Sequence, residues 1–94
     1  MDITNNERLN RFETTIDGHL AELTYQRHGD RLVLAHTEVP AELEGMGVAG
    51  ALVTAAVDDA VRNGLTVVPR CSFARGWLDK HPDVAKKVSI EPAP

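Results

Sequence analysis

The stretch Val39 to Val53, VPAELEGMGVAGALV, constrains this chain more than any other. Apolar alternation runs up to Pro40 and a short polar loop follows. Glycines then stand at 45, 47 and 50, where an apolar pattern of helical period begins. A glycine-rich turn that opens a helix leaves the first-turn N–H groups without intrahelical partners, at the positive end of the helix dipole. Such a turn suits an anion, a phosphate above all. Glycine lets the backbone come close to the ligand and take positive φ. The stretch therefore predicts a phosphorylated ligand, in the first instance a cofactor, at the start of the main helix.

The flanking sequence places this turn inside an α/β fold. Residues 11–17 read as a strand with Phe12 and Ile16 apolar, and Asp17-Gly18 is a hairpin signal. Residues 19–27 form the return strand, with Ala21, Leu23 and Tyr25 on one face. After a turn at Gly29-Asp30, residues 31–39 make a third strand. It is apolar from 32 to 35, so it predicts cover on both faces and a central place in the sheet. The three strands form an antiparallel meander.

The strongest helix spans residues 47–63, with Ala49, Leu52, Val53, Ala56, Val57, Ala60 and Val61 at helical spacing. Gly64 is placed to end it. Residues 65–68 read as a fourth strand, and Pro69 limits its pairing. A strand, a helix and a strand predict a crossover, so the third and fourth strands are parallel. Ser72 can cap a second helix carrying Phe73, Trp77 and Leu78, and Pro82-Asp83 opens a last helical turn. The expected layout is a flexible lead at 1–10, one domain at 11–88 and a loose tail at 89–94.

Ninety-four residues suit a single domain, and 43% apolar with 26% charged residues is ordinary globular composition. Fourteen Asp and Glu outnumber ten Lys and Arg, for a net charge of -4. That balance speaks against nucleic acid and against an anionic membrane surface as partners. No apolar run could span a bilayer, and the polar opening MDITNNERLN has no signal-peptide core. Cys71 is alone, so it makes no internal disulfide and no cysteine zinc cluster. A cytoplasmic location is expected, and the oligomeric state is left open. The histidines at 19, 28, 36 and 81 show no metal-ligand spacing.

The run EGMGVA at 44–49 resembles the Q/R-x-x-G-x-G/A signature of the GNAT superfamily of acetyl-CoA-dependent N-acetyltransferases. Glu44 stands first, Gly47 fourth and Ala49 sixth. HTEVP at 36–40, Cys71 after the fourth strand and KHPD at 80–83 are similar to the very small, single-domain branch of that superfamily. The resemblance covers about residues 11–88. It departs in three ways. Glu44 replaces the usual Gln or Arg, and its carboxylate would repel a pyrophosphate unless it points away. Val84 replaces an aromatic residue. The chain also lacks the N-terminal helices and C-terminal strands with which larger members build an acceptor pocket.

The resemblance implies acetyl transfer from acetyl-CoA to an amine acceptor. The amides of Gly45, Met46, Gly47, Val48 and Ala49 would face the coenzyme A pyrophosphate, flanked by Glu44 and Gly50. The strand end from His36 through Thr37 and Glu38 to Val39 would pair with the pantetheine arm. The thioester would lie where the third and fourth strands part. His36 is either a general base or a strand residue satisfied by the backbone. Glu38 and Glu42 are other possible bases, or solvated charges. The resemblance favours direct transfer from acetyl-CoA to the amine, with Cys71 lining the pocket or a core thiol; the alternative is an acetyl-Cys71 intermediate. Arg70 and the following helix start would both favour its thiolate. Arg75 and Lys80 either meet the adenosine phosphates or are solvated, while Phe73 and Trp77 pack on the sheet. The competing readings are a coenzyme A or acyl-CoA binding module with little catalysis, and an interaction domain that has kept only the fold.

Overall fold

The computed structural model describes residues 1–92. Its centre is a five-stranded sheet in the order β1 (Thr4–Asn6), β2 (Arg11–Ile16), β3 (His19–His28), β4 (Arg31–Glu38), β5 (Thr66–Pro69). The first four strands are antiparallel neighbours, and β5 joins β4 in parallel from Arg31↔Thr66 to Leu34↔Pro69. The parallel pair needs a crossover, and α1 (Val48–Asn63) supplies it. Two short helices follow, α2 (Ser72–Lys80) and α3 (Pro82–Ala85). The predicted meander, helix, parallel strand and short final helices are all present.

Helix α1 buries Val48, Leu52, Val53, Ala56, Val57 and Ala60 against the sheet. Val61, expected on this face, is half exposed, and Val48 takes a buried place at the first turn. The opposing sheet face supplies Phe12, Ala21, Leu23, Tyr25, Leu32 and Leu34, with the Phe12 and Tyr25 rings 5.2 Å apart. Leu43, Ala74, Leu78 and Val84 close the sides of this one core. Gly64 ends α1 at φ 66, and its N–H reaches Ala60 O and Val61 O. Among the described residues no helix is long and apolar enough to cross a membrane.

Three expectations need correction. The lead is not loose throughout, because Thr4–Asn6 pair with Arg11–Glu13 as an edge strand. This strand has no apolar alternation to reveal it. It is held by polar contacts: Tyr25 Oη donates to Asn5 at 2.7 Å and Asn6 Nδ2 donates to Glu13 at 3.0 Å. The tail also docks. Val67 N–H donates to Ser89 O and Glu91 N–H to Val67 O, each at 2.9 Å, so 89–91 cover the outer edge of β5. Residues 93–94 lie outside the described part. Finally, Ser72 is the first residue of α2 and not its cap; Cys71 occupies that position, with no side-chain cap hydrogen bond.

One irregularity in the sheet matters for the site. Thr24 pairs with His36 but Tyr25 pairs with Leu34, which leaves Ala35 as an extra residue in β4. Such a bulge reverses the side-chain alternation beyond it. Leu34 faces the core; past the bulge Thr37, opposite Leu23, returns to the α1 side, and His36 and Glu38 turn to the other face.

Candidate functional site

The turn before α1 begins with a 3-10 turn at Ala41–Leu43, then passes through Gly45 at φ 80 and Gly47 at φ 74. An L-residue is strained in that backbone region, so both glycines are demanded by the turn itself. A Cβ on either would meet no protein atom within 4 Å. The space beside them is open.

The amides of the turn divide into two sets. Leu43, Glu44 and Met46 N–H groups are engaged by Pro40 O, Ala41 O and Leu43 O. Among the described residues, the N–H groups of Gly45, Gly47, Val48, Ala49 and Gly50 have no protein acceptor within hydrogen-bond geometry. Val48 is only 1% exposed, so its amide is an orphan donor in a nearly dry place. Helix α1 carries no acidic residue in its first turn to offset the dipole. These donors fit an anionic group such as a pyrophosphate.

A cleft of about 570 Å³ opens on this turn. Val39, Glu44, Gly45, Gly47, Val48, Ala49 and Gly50 line it, together with Leu43, Ala51, Thr54, Phe73 and Trp77. Phe73 and Trp77 thus form a cleft wall, a role sequence reasoning missed. Their four-residue spacing marks a helix face without saying what that face meets. Trp77 stacks on His81 with centroids 3.8 Å apart and planes 11° apart, and His81 Nδ1–H donates to Trp77 O at 2.8 Å. Gly50 is where the indole seats: a Cβ there would lie 2.5 Å from Trp77 Nε1. Gly50 therefore serves packing as well as the turn.

Not every predicted site residue gathers here. Met46 is half exposed, its amide is used within the turn, and it does not line the cleft. Arg75 lines a separate hollow of about 280 Å³ with Pro69, Leu78, Asp79 and Ile90. Lys80 borders a shallow hollow that shares Phe73 and Trp77 with the main cleft. No basic residue lines the main cleft among the described residues, and Glu44 is the one acidic residue that does. His36 and Glu38 are 65% and 69% exposed, 4.0 Å apart, on the sheet face away from the cleft.

Where β4 and β5 part lies Cys71. Pro69 has no N–H to extend the ladder, the Arg70 N–H folds back to Val68 O, and the Cys71 N–H donates to Leu34 O at 2.9 Å. The chain then turns into α2 while β4 runs on to Glu38. Thr37 Oγ1 lies 3.3 Å from Cys71 Sγ. Burial pushes the thiol up, but the Thr37 hydroxyl and the amides of Ala74, Phe73 and Thr37 together bring it below the usual thiol range. The start of α2 thus acts as expected. Arg70, expected to help, is exposed and has no part in this shift.

The mixed sheet splits after its parallel pair, and the glycine-rich start of α1 lies beside the split. Residues 11–88 match the family model for the GCN5-related N-acetyltransferases, and the chain belongs to that family. Acyl transfer is the chemistry of this family. The chain is also similar to the solution structure of a GCN5-like candidate N-acetyltransferase from Staphylococcus aureus. The TM-score is 0.75 at 32% identity, over 99% of this chain and 90% of that one.

Proposed function

We propose that this chain transfers an acetyl group from acetyl-CoA to an amine. The observation that carries the reading is the row of unpartnered amides at Gly45, Gly47, Val48 and Ala49 on the wall of the cleft. They would hold the pyrophosphate through main-chain donors, whatever the side chains. The edge of β4 at residues 36–39 would hold the pantetheine arm by strand addition, directing it toward Cys71. When bound, acetyl-CoA supplies an activated thioester.

Two routes from there use this chain's residues differently. In direct transfer the amine attacks the thioester, and Cys71 only lines the gap. In the carrier route the Cys71 thiolate takes the acetyl group, the C–S bond to coenzyme A breaks with its electrons going to the departing thiolate, and the amine then collects the acetyl group from Cys71. The lowered thiol favours the carrier route. The exposed His36, turned to the other sheet face, is poorly placed as a base for a group in the cleft. The free thiol fits a cytoplasmic setting.

A second reading is a coenzyme A binding module with little catalysis. It is favoured by Glu44 at a cleft that, among the described residues, no cation lines to neutralise phosphate. Titration of labelled protein with acetyl-CoA and with coenzyme A tests both. Shifts centred on residues 45–49 and 36–39 are expected, and no shifts at millimolar ligand would refute binding. Transfer to a panel of small amines and peptides then separates enzyme from binder.

A further inference from the structure

We propose that Thr37 is a positioning residue for Cys71: its hydroxyl, in contact with the sulfur, orients it across the gap between β4 and β5 and donates to it when it ionises. The inference rests on the acyl-transfer reading for its use, but its geometry stands alone. The Oγ1–Sγ separation is 3.3 Å, within reach of a hydrogen bond to sulfur, and this is the only hydrogen bond of the Thr37 side chain among the described residues. The bulge at Ala35 puts Thr37 there. With regular alternation, residue 36 would face this side and residue 37 would face away.

The partners of the sulfur explain why a hydroxyl is needed. The amides of Phe73 and Ala74, in the first turn of α2, and of Thr37 itself favour the charged sulfur, but among the described residues the one hydrogen bond at Sγ is that with Thr37 Oγ1. No charged side chain contributes to its ionisation. A thiolate here would be held by neutral donors alone, and the hydroxyl is the one that a side-chain substitution can remove. A thiol needs no donor from Thr37, because its S–H can itself donate to Oγ1; a thiolate does. The pair thus reverses its hydrogen-bond direction when the sulfur ionises. The charged form gains most, since hydrogen bonds to ions are the stronger ones.

Cys71 is the chain's one cysteine, so its alkylation reads this site without interference. The test is the pH dependence of iodoacetamide alkylation of the full chain, for wild type, Thr37→Ser and Thr37→Val. The midpoint is expected to rise by about one pH unit in Thr37→Val. Thr37→Ser should stay near wild type. Thr37→Ala replaces Thr37→Val if thermal unfolding shows the latter misfolded. An unchanged midpoint in a folded hydroxyl-free variant would overturn the assignment. An equal rise in Thr37→Ser would do the same, since the hydroxyl would not be the cause. Acetyl-CoA binding is measured on the same proteins. Its failure in wild type would remove the acyl-transfer reading and leave the alkylation comparison intact.

Discussion

Gly50 and Trp77 are fitted to each other: a single methyl on residue 50 would stand 2.5 Å from the indole Nε1. The glycine is inside α1, where it costs helix stability relative to alanine, so its presence is explained by the close approach of the ring. Stacking on His81, with centroids 3.8 Å apart, resists displacement of the ring. This contact ties the first turn of α1 to α2 and sets one wall of the cleft.

Gly50→Ala should therefore displace the indole and destabilise the fold, despite alanine's better helix propensity. Overpacking of this kind costs about 1–3 kcal/mol. Trp77 is the only tryptophan, so its emission reports the site directly. A shift in emission with a lower Tm is expected. Unchanged emission and an unchanged or raised Tm would show that the ring accommodates the methyl.

Gly47 tests the anion cradle. At φ 74 with open space beside it, a substitution suffers backbone strain and no clash with the chain. Asparagine tolerates this backbone region better than other residues. Gly47→Asn should fold with a loss of about 1 kcal/mol, and its side chain should obstruct the ligand. Coenzyme A affinity, measured by calorimetry, should fall at least about tenfold, equivalent to about 1.4 kcal/mol. Gly47→Val, a β-branched residue at this φ, should lose binding and more stability. Full affinity in a folded Gly47→Asn would place the phosphate elsewhere.

Glu44 is an acidic residue at a cleft that no basic residue lines among the described residues. Glu44→Gln removes that charge and keeps the shape. Coenzyme A should bind about threefold to fivefold more tightly at low salt, and the gain should shrink as ionic strength rises. A weaker complex would show that the carboxylate has a positive role, such as accepting from the ligand.

Acid should loosen the edge of the sheet through Glu13. The hydrogen bond from Arg11 first, and then that from Asn6, hold its carboxyl below the usual range. A carboxyl whose folded pKa is depressed adds stability above its unfolded pKa and loses it as pH falls through the folded value. Tm followed from about pH 7 to pH 2 should fall more steeply in wild type than in Glu13→Gln, with the two curves converging at the acid end. Parallel curves would show that the contact carries no pH dependence.

Much of this fold was legible residue by residue. The Asp17-Gly18 turn, the apolar run at 32–35, most of the helix face of α1 and Gly64 after it follow from short-range rules; Val61 and Ala49, at the two ends of that face, are the exceptions. The polar edge strand Thr4–Asn6 and the docked 89–91 segment were not legible. Both are held by hydrogen bonds to distant strands and have no pattern of their own.

The sequence by itself determined that a glycine turn opens α1 and that the first amides of that helix lack intrahelical partners; that the Met46 amide folds back onto Leu43 O was settled only by the turn's own geometry. The sequence also determined that Cys71 follows β5. Only the tertiary structure decided what meets the sulfur. The extra residue at Ala35 has no sequence mark, since a bulge is settled by how β3 and β4 pair along their whole length. That one-residue slip turns Thr37 toward Cys71 and His36 away from it. Likewise, Trp77 became a wall of the cleft only when α2 folded back over Gly50.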